Sequence, residues 1–158
     1  MAPLEFTIKE KSEDSAICWE VLGSVFWDAQ GCILVEFLEP GQTINAARYI
    51  QTLVKLRRAL HNKRPGRKII LQHDNARPHT AGATVEKIRT FGWETLPHPP
   101  YSPDLAPSDY HLFSSVKERG QRYETLEDIQ KAVCQCLRAA GMDFYHKGIF
   151  KLVRAALE

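Results

Sequence analysis

An α/β domain built on a mixed sheet is the fold class this sequence predicts, and three observations predict it. A β-hairpin pattern comes first, a strand–helix–strand succession follows, and 158 residues are enough to close one hydrophobic core around both. The composition agrees: 44% hydrophobic and 25% charged residues, with only 9 Gly and 9 Pro, exclude collagenous, low-complexity and largely disordered chains. No apolar run approaches the roughly 18 residues that cross a bilayer. Residues 1–10 lack the basic start and apolar centre of a signal peptide. A cytosolic or nuclear protein is the resulting expectation.

Residues 21–27 and 32–38 are mostly β-branched, aromatic or aliphatic, and Asp28-Ala29-Gln30-Gly31 between them has turn chemistry ending in a glycine suited to positive φ. They form the hairpin. After Pro40-Gly41, Ala46, Tyr49, Ile50, Leu53, Leu56 and Leu60 recur at helical spacing, with Arg48, Gln51, Thr52, Lys55 and Arg58 largely on other faces. Pro65-Gly66 breaks this helix. Residues 68–74 then read as a buried strand closed by Asp74, and Pro78 opens a helix running through Val85, Ile88 and Phe91 to a stop at Gly92. Residues 93–96 supply the second strand of a parallel crossover.

The proline-dense run at 97–103 is a stiff extended loop, and Ala106-Pro107-Ser108-Asp109 begins another helix beyond it. Thr125 with Asp128 gives a capping-box start for a helix to about Ala140. Gly141-Met142-Asp143 separates that helix from a last one running toward Glu158. There is no internal repeat or long linker, so residues 1–158 are read as a single domain. The cysteines Cys18, Cys32, Cys134 and Cys136 include no C-x-x-C pair and are expected to be reduced. Trp19, Trp27 and Trp93 are read as packing aromatics.

The net charge of +2 hides an uneven distribution. Residues 40–73 contain no Asp or Glu but carry Arg48, Lys55, Arg57, Arg58, Lys63, Arg64, Arg67 and Lys68. A concentrated positive face draws polyanions through its field and through counterion release, and nucleic acid is the usual partner. A solvated helix face followed by a basic loop is the equal alternative.

Two acidic residues stand where α/β sheets build sites: Asp74 just past a buried strand, and Asp109 at a helix start after the proline loop. Two carboxylates brought together there would suit a hard divalent cation such as Mg²⁺ and metal-assisted phosphoryl transfer. The alternatives are an Asx-turn for Asp74 and a helix-dipole role for Asp109. Arg77 and His79 lie next to Asp74 and are candidates for DNA phosphate, while Arg77 is equally placed to fix Asp74 or Asp109 through a bidentate pair. His73, His79 and His111 lack accompanying cysteines, so hydrogen bonding is expected of them rather than zinc. Pro100 to Pro103 matches a P-x-x-P pattern, but a rigid loop that orients Asp109 needs no partner domain.

The string from His73 to His79, His-Asp-Asn-Ala-Arg-Pro-His, together with His98-Pro99-Pro100-Tyr101-Ser102-Pro103-Asp104-Leu105-Ala106-Pro107-Ser108-Asp109-Tyr110, closely resembles the mariner family of DNA transposases. Thirty-four residues separate Asp74 from Asp109, which is the spacing between that family's second and third catalytic aspartates. The resemblance runs from about Glu20 to Leu152 and includes Val25-Phe26-Trp27 and Asp143-Phe144-Tyr145. It implies a ribonuclease H-like mixed sheet flanked by helices, with Mg²⁺ or Mn²⁺ held between carboxylates. It also implies DNA strand cleavage and strand transfer by in-line displacement, in the nucleus, by a chain whose relatives act as dimers.

The sequence departs from the pattern upstream of the hairpin. The family's first catalytic aspartate has no match in the divergent segment 1–19. Residues 4–16 show no convincing buried strand, so the first strand is expected to be lacking or replaced. The family's N-terminal helix-turn-helix modules are likewise unmatched. Metal-dependent cleavage is therefore expected to be impaired, with Asp74 and Asp109 as catalytic and metal-binding residues. DNA contacts are assigned to Arg48, Lys55, Arg58, Lys63, Arg64, Arg67, Lys68, Arg77 and His79. The alternatives are a non-enzymatic DNA-binding or dimerisation module and a natural product that begins further upstream. The exposed hairpin edge is expected to be covered by residues 4–8 or by a partner chain.

Overall fold

Alternating side chains on the hairpin build the frame, because both of its faces are covered. The computed structural model describes residues 2–11, 18–97, 99, 111–112 and 125–155, with backbone alone at 2–11, 18–21 and 152–155. Strand β2 (Cys18–Asp28) turns into β3 (Gly31–Phe37), and the two pair antiparallel with an irregularity at Phe26/Trp27. The turn is held by the Asp28 carboxylate, which accepts the Gln30 N–H at 2.9 Å, and by Gly31 at φ +134°.

Strand β1 (Ala2–Lys11) pairs antiparallel with β2 in a register running from Ala2↔Trp27 to Lys11↔Cys18. This corrects the expectation that residues 4–16 hold no strand. Leu4 lies opposite Val25 and Ile8 opposite Val21, so the segment expected to cover the hairpin edge does so. Its alternation of apolar residues with Glu5, Thr7 and Lys9 is what a strand with one apolar face shows, and the lack of a continuous apolar run concealed it.

Helix α1 (Ala46–Lys63) begins at Asn45, whose side chain accepts the Arg48 N–H at 2.8 Å. It ends where Arg64 and the positive-φ Gly66 turn the chain. The parallel crossover is present but short. Strand β4 (Ile70–Leu71) pairs with β5 (Glu94–Thr95) in parallel, Ile70↔Glu94 and Leu71↔Thr95. Among the described residues the pairing ends with the bond from the Leu96 N–H to the Leu71 carbonyl at 2.8 Å.

Two differences from the expected topology follow. Among the described residues the antiparallel and parallel strands are hydrogen-bonded as two sheets, β1-β2-β3 and β4-β5, rather than as one mixed sheet. The helix expected from Pro78 to Phe91 is divided into α2 (Arg77–Thr80) and α3 (Gly82–Thr90) by Ala81, whose ψ of 138° is extended. The Thr84 hydroxyl donates to the Pro78 carbonyl at 2.6 Å and closes this break. Helices α4 (Leu126–Ala139) and α5 (Met142–Ala155) complete the order, with Thr125 accepting the Asp128 N–H at 3.2 Å as the α4 cap.

Helices pack on both faces of the hairpin. Val25 and Trp27 meet Ile129, Val133 and Leu137 of α4, Tyr145 of α5, and Leu112. Phe26 and Ile33 face the opposite way, against Tyr49, Leu53, Leu56 and Leu60 of α1 with Leu71 and Ile88. Each large side chain buried in these layers contributes roughly 1.5–3 kcal/mol relative to exposure. The α1 layer matters most for function, because Tyr49 and Leu71 carry the core directly to the segment at the end of β4.

Candidate functional site

Asp74 lies beyond β4, after the buried Gln72 and the half-buried His73, on a segment that turns back sharply. Its Oδ1 accepts the Ala76 N–H at 2.9 Å, which is the Asx-turn the sequence allowed. The same oxygen accepts a second hydrogen bond from His79 Nδ1 at 2.6 Å. Helix α2 makes this possible, since one turn beginning at Arg77 swings His79 back over Asp74. The Asp74 side chain is 64% exposed, whereas that of His79 is only 3% exposed.

The hydrogen bond from His79, with that from the Ala76 N–H, holds the Asp74 carboxyl at about 2, against the opposing effect of partial burial. Asp74 is therefore anionic at neutral pH. Burial drives His73 the other way, to about 4, with the neighbouring His79 adding to the effect, so His73 is a neutral ring. The rings of His73 and His79 stack at 4.9 Å and 7°, and Tyr49 of α1 packs on His79 at 4.2 Å. The Tyr49 hydroxyl lies 3.0 Å from His73 Nδ1. An ionised, exposed carboxylate with donors on one oxygen fits a hard divalent cation. Among the described residues no three His, Cys, Asp or Glu side chains are gathered closely enough to hold a metal ion. Asp109 and the helix start assigned to it lie outside the described residues, as does most of the proline loop.

The expected DNA-contacting residues divide into two groups. Arg48 and Lys55 pair with Glu36 of β3 at 3.1 and 2.5 Å, and Arg64 makes two hydrogen bonds to Asp28, at 2.7 and 3.0 Å. Lys63 Nζ donates to the Ile33 carbonyl at 2.9 Å, and Lys68 pairs with Glu94 at 2.6 Å. Much of the basic run is thus partnered within the chain. The carboxylates come from Asp28 and Glu36 on the hairpin, just before the acid-free window, and from Glu94 after it. Arg58, Arg67 and Arg77 are exposed. Arg57 lies over the Phe91 ring at 4.7 Å from its centre, with Lys87 at 5.3 Å.

His79 is a correction. A ring this deeply buried, stacked on His73, packed at a tilt against Tyr49 and hydrogen-bonded to Asp74, does not present itself to a DNA phosphate. Nor is Arg77 needed to fix Asp74, because His79 and the Ala76 N–H already do so. The sequence carried one sign of the Glu36 role, an acid within the otherwise apolar 32–38 strand, and it was missed. His111 hydrogen-bonds through Nε2 to the Phe144 carbonyl at 2.7 Å and stacks on the Phe144 and Trp27 rings. Cys32, Cys134 and Cys136 are free thiols, and burial raises Cys32 to about 11.

Residues 8–70 match the family model described as transposase (partial DDE domain). The chain is similar to the mariner Mos1 transposase of Drosophila mauritiana, 46% identical over 135 residues, covering 81% of this chain and 39% of that protein. It is also similar to the histone-lysine N-methyltransferase SETMAR of Homo sapiens, 39% identical over 143 residues, covering 85% of this chain and 20% of the relative. The chain therefore spans well under half the length of either relative. Among solved structures, the crystal structure of the catalytic domain of Mos1 mariner transposase superposes with a TM-score of 0.88 at 41% identity, over 97% of this chain and 76% of that one. The Mos1 catalytic domain with Raltegravir and Mn gives a TM-score of 0.85 at 40% identity, over 97% and 78%. The Mos1 paired-end complex with left transposon end gives 0.87 at 40% identity, over 97% and 52%.

Proposed function

This chain belongs to the mariner transposase family, within its catalytic domain, and on that premise we propose that it is a ribonuclease H-like core for metal-dependent DNA strand cleavage and strand transfer. The observation that carries the proposal is Asp74. It is ionised, exposed at the end of β4, and tied through Oδ1 alone among the described residues, so Oδ2 is free of protein donors there. Asp74 and Asp109 would hold Mg²⁺ or Mn²⁺, and the ion would supply Lewis-acid activation of the attacking and leaving oxygens at a phosphodiester. The chain's own contribution is an anionic ligand with two donors on one oxygen, three residues before the exposed Arg77. The Mos1 structures with Mn and with a transposon end support the choice of cation and of DNA as partner.

In this reading residues 1–158 act as one domain, β1 stands in for the family's first strand, and the protein works in the nucleus as a homodimer. With two of the family's three carboxylates matched, cleavage by this chain is impaired. Calorimetric Mn²⁺ affinity is expected to fall at least tenfold in both Asp74→Asn and Asp109→Asn. Any nicking of supercoiled DNA should vanish with the same substitutions. Mn²⁺ affinity unchanged from wild type in both variants would reject the shared site. DNA affinity that ignored both, with no nicking under any metal, would favour a non-enzymatic DNA-binding module.

The pairing pattern among the cations makes a second expectation. Arg58, Arg67 and Arg77 should carry phosphate contacts, whereas Arg64 is committed to Asp28. Each of the three, changed to Ala, is expected to reduce the slope of log affinity against log salt by about 0.9 for B-form DNA. Arg64→Ala should leave that slope unchanged, and fluorescence anisotropy across a salt series reads both. A slope that responded to Arg64→Ala alone would reverse the assignment.

A further inference from the structure

We propose that His79 is the positioning residue of Asp74, locking its carboxylate into the single orientation in which Oδ2 is presented to a divalent cation. This rests on the reading of Asp74 as a metal ligand and adds to it the device that aims the ligand. Two donors converge on Oδ1, the Ala76 N–H at 2.9 Å and His79 Nδ1 at 2.6 Å. One backbone bond would leave the carboxylate free to rotate about its terminal torsion and exchange its oxygens. A second donor from a different direction removes that freedom.

The donor is itself held. The ring of His79 packs against the Tyr49 ring at 4.2 Å and the His73 ring at 4.9 Å, and those two lie 6.0 Å from each other, so the three form a closed cluster. Tyr49 is 1% exposed in the α1 layer, so the stack is anchored in the core and not at the surface. Asp74 is anionic and accepts only, so the proton of this bond is on Nδ1 of His79. Carboxylate ligands are commonly oriented by such outer partners, whose removal weakens metal affinity by about 10- to 100-fold.

The test uses the whole chain and Mn²⁺ alone as probe. Long-range ¹H–¹⁵N correlation on the metal-free chain is expected to show the His79 proton on Nδ1. Calorimetric Mn²⁺ affinity should fall about tenfold or more in His79→Ala with the far-UV spectrum retained. His79→Asn, which returns an N–H donor near the Nδ1 position, should restore affinity to within about threefold. Should His79→Ala fail to fold, His79→Gln fills the ring's volume without a donor at that position and should show the same loss. A proton on Nε2 alone, or Mn²⁺ binding indifferent to His79→Ala and His79→Gln while sensitive to Asp74→Asn, would overturn the inference and leave the site standing. Mn²⁺ binding indifferent to Asp74→Asn would overturn the site and the inference with it.

Discussion

Gly148→Ala is expected to destabilise the chain by about 2–3 kcal/mol, although the same change in an ordinary helix interior stabilises by roughly 0.5–1 kcal/mol. Gly148 lies within α5, and a Cβ built there would meet His111 Cδ2 at 2.5 Å, Trp27 Cη2 at 2.9 Å and His111 Cγ at 3.0 Å. None of these atoms can yield cheaply. Trp27 is fully buried between α4 and α5, and the His111 ring is held by its bond to the Phe144 carbonyl at 2.7 Å and by stacking on Phe144. The overlap is resolved only by moving α5 or expelling the His111 ring, and either opens the Val25/Trp27 layer. Urea unfolding should show the midpoint falling with little change in slope. In a double-mutant cycle His111→Ala should remove most of the penalty. A midpoint that rose in Gly148→Ala would show that the helix has room at this point.

Glu36→Ala should cost about 2 kcal/mol, unusual for an acid on a sheet surface. The Glu36 side chain is only 9% exposed and takes three donors: Lys55 at 2.5 Å, Thr52 at 2.6 Å and Arg48 at 3.1 Å. Hydrogen bonds to a charged group contribute roughly 1.5–3 kcal/mol, and the exposure of Lys55 places the total toward the lower part of that range. Burial pushes the Glu36 carboxyl up, but the bonds from Lys55 and Thr52 and the charge of Arg48 outweigh it, and the carboxyl lies below its ordinary 4.5. A carboxyl lowered on folding contributes stability that is complete above its unfolded value and is lost as pH falls through its folded value. The stability difference between wild type and Glu36→Gln should therefore be constant near pH 6–7 and shrink below about pH 4.5. Asp28, lowered by Arg64 against its burial, adds to the same acid sensitivity. A wild-type stability that did not decline below pH 4.5 would show these ion pairs to be silent.

Both residues illustrate what could be read along the chain and what could not. Thr125, Gly31 and the apolar spacing of α1 act within a few residues of themselves, and the structure has the hairpin, α1, α4 and the parallel crossover where those signals put them. Residues 2–11 show no strand of their own in composition because the pairing is supplied by β2, a partner several residues away. The break at Ala81 escaped notice for a related reason. Helical periodicity continues across it, while the Thr84–Pro78 bond that stabilises the interruption forms only after the turn exists.

By itself the sequence determined the α/β class, the position of Asp74 after a strand, the family resemblance and the excess of positive charge between residues 40 and 73. Periodicity, turn chemistry and motif spacing are local properties, so they survive being read in one dimension. Only the tertiary structure decided which cations are committed to Glu36, Asp28 and Glu94, that His79 is buried with its ring hydrogen-bonded to Asp74, and that Gly148 is the place where α5 must admit two aromatic rings. Those outcomes depend on contacts between elements distant in sequence, where a few tenths of an ångström and the loss of water determine whether a charge is paired, a ring is trapped or a methyl group fits.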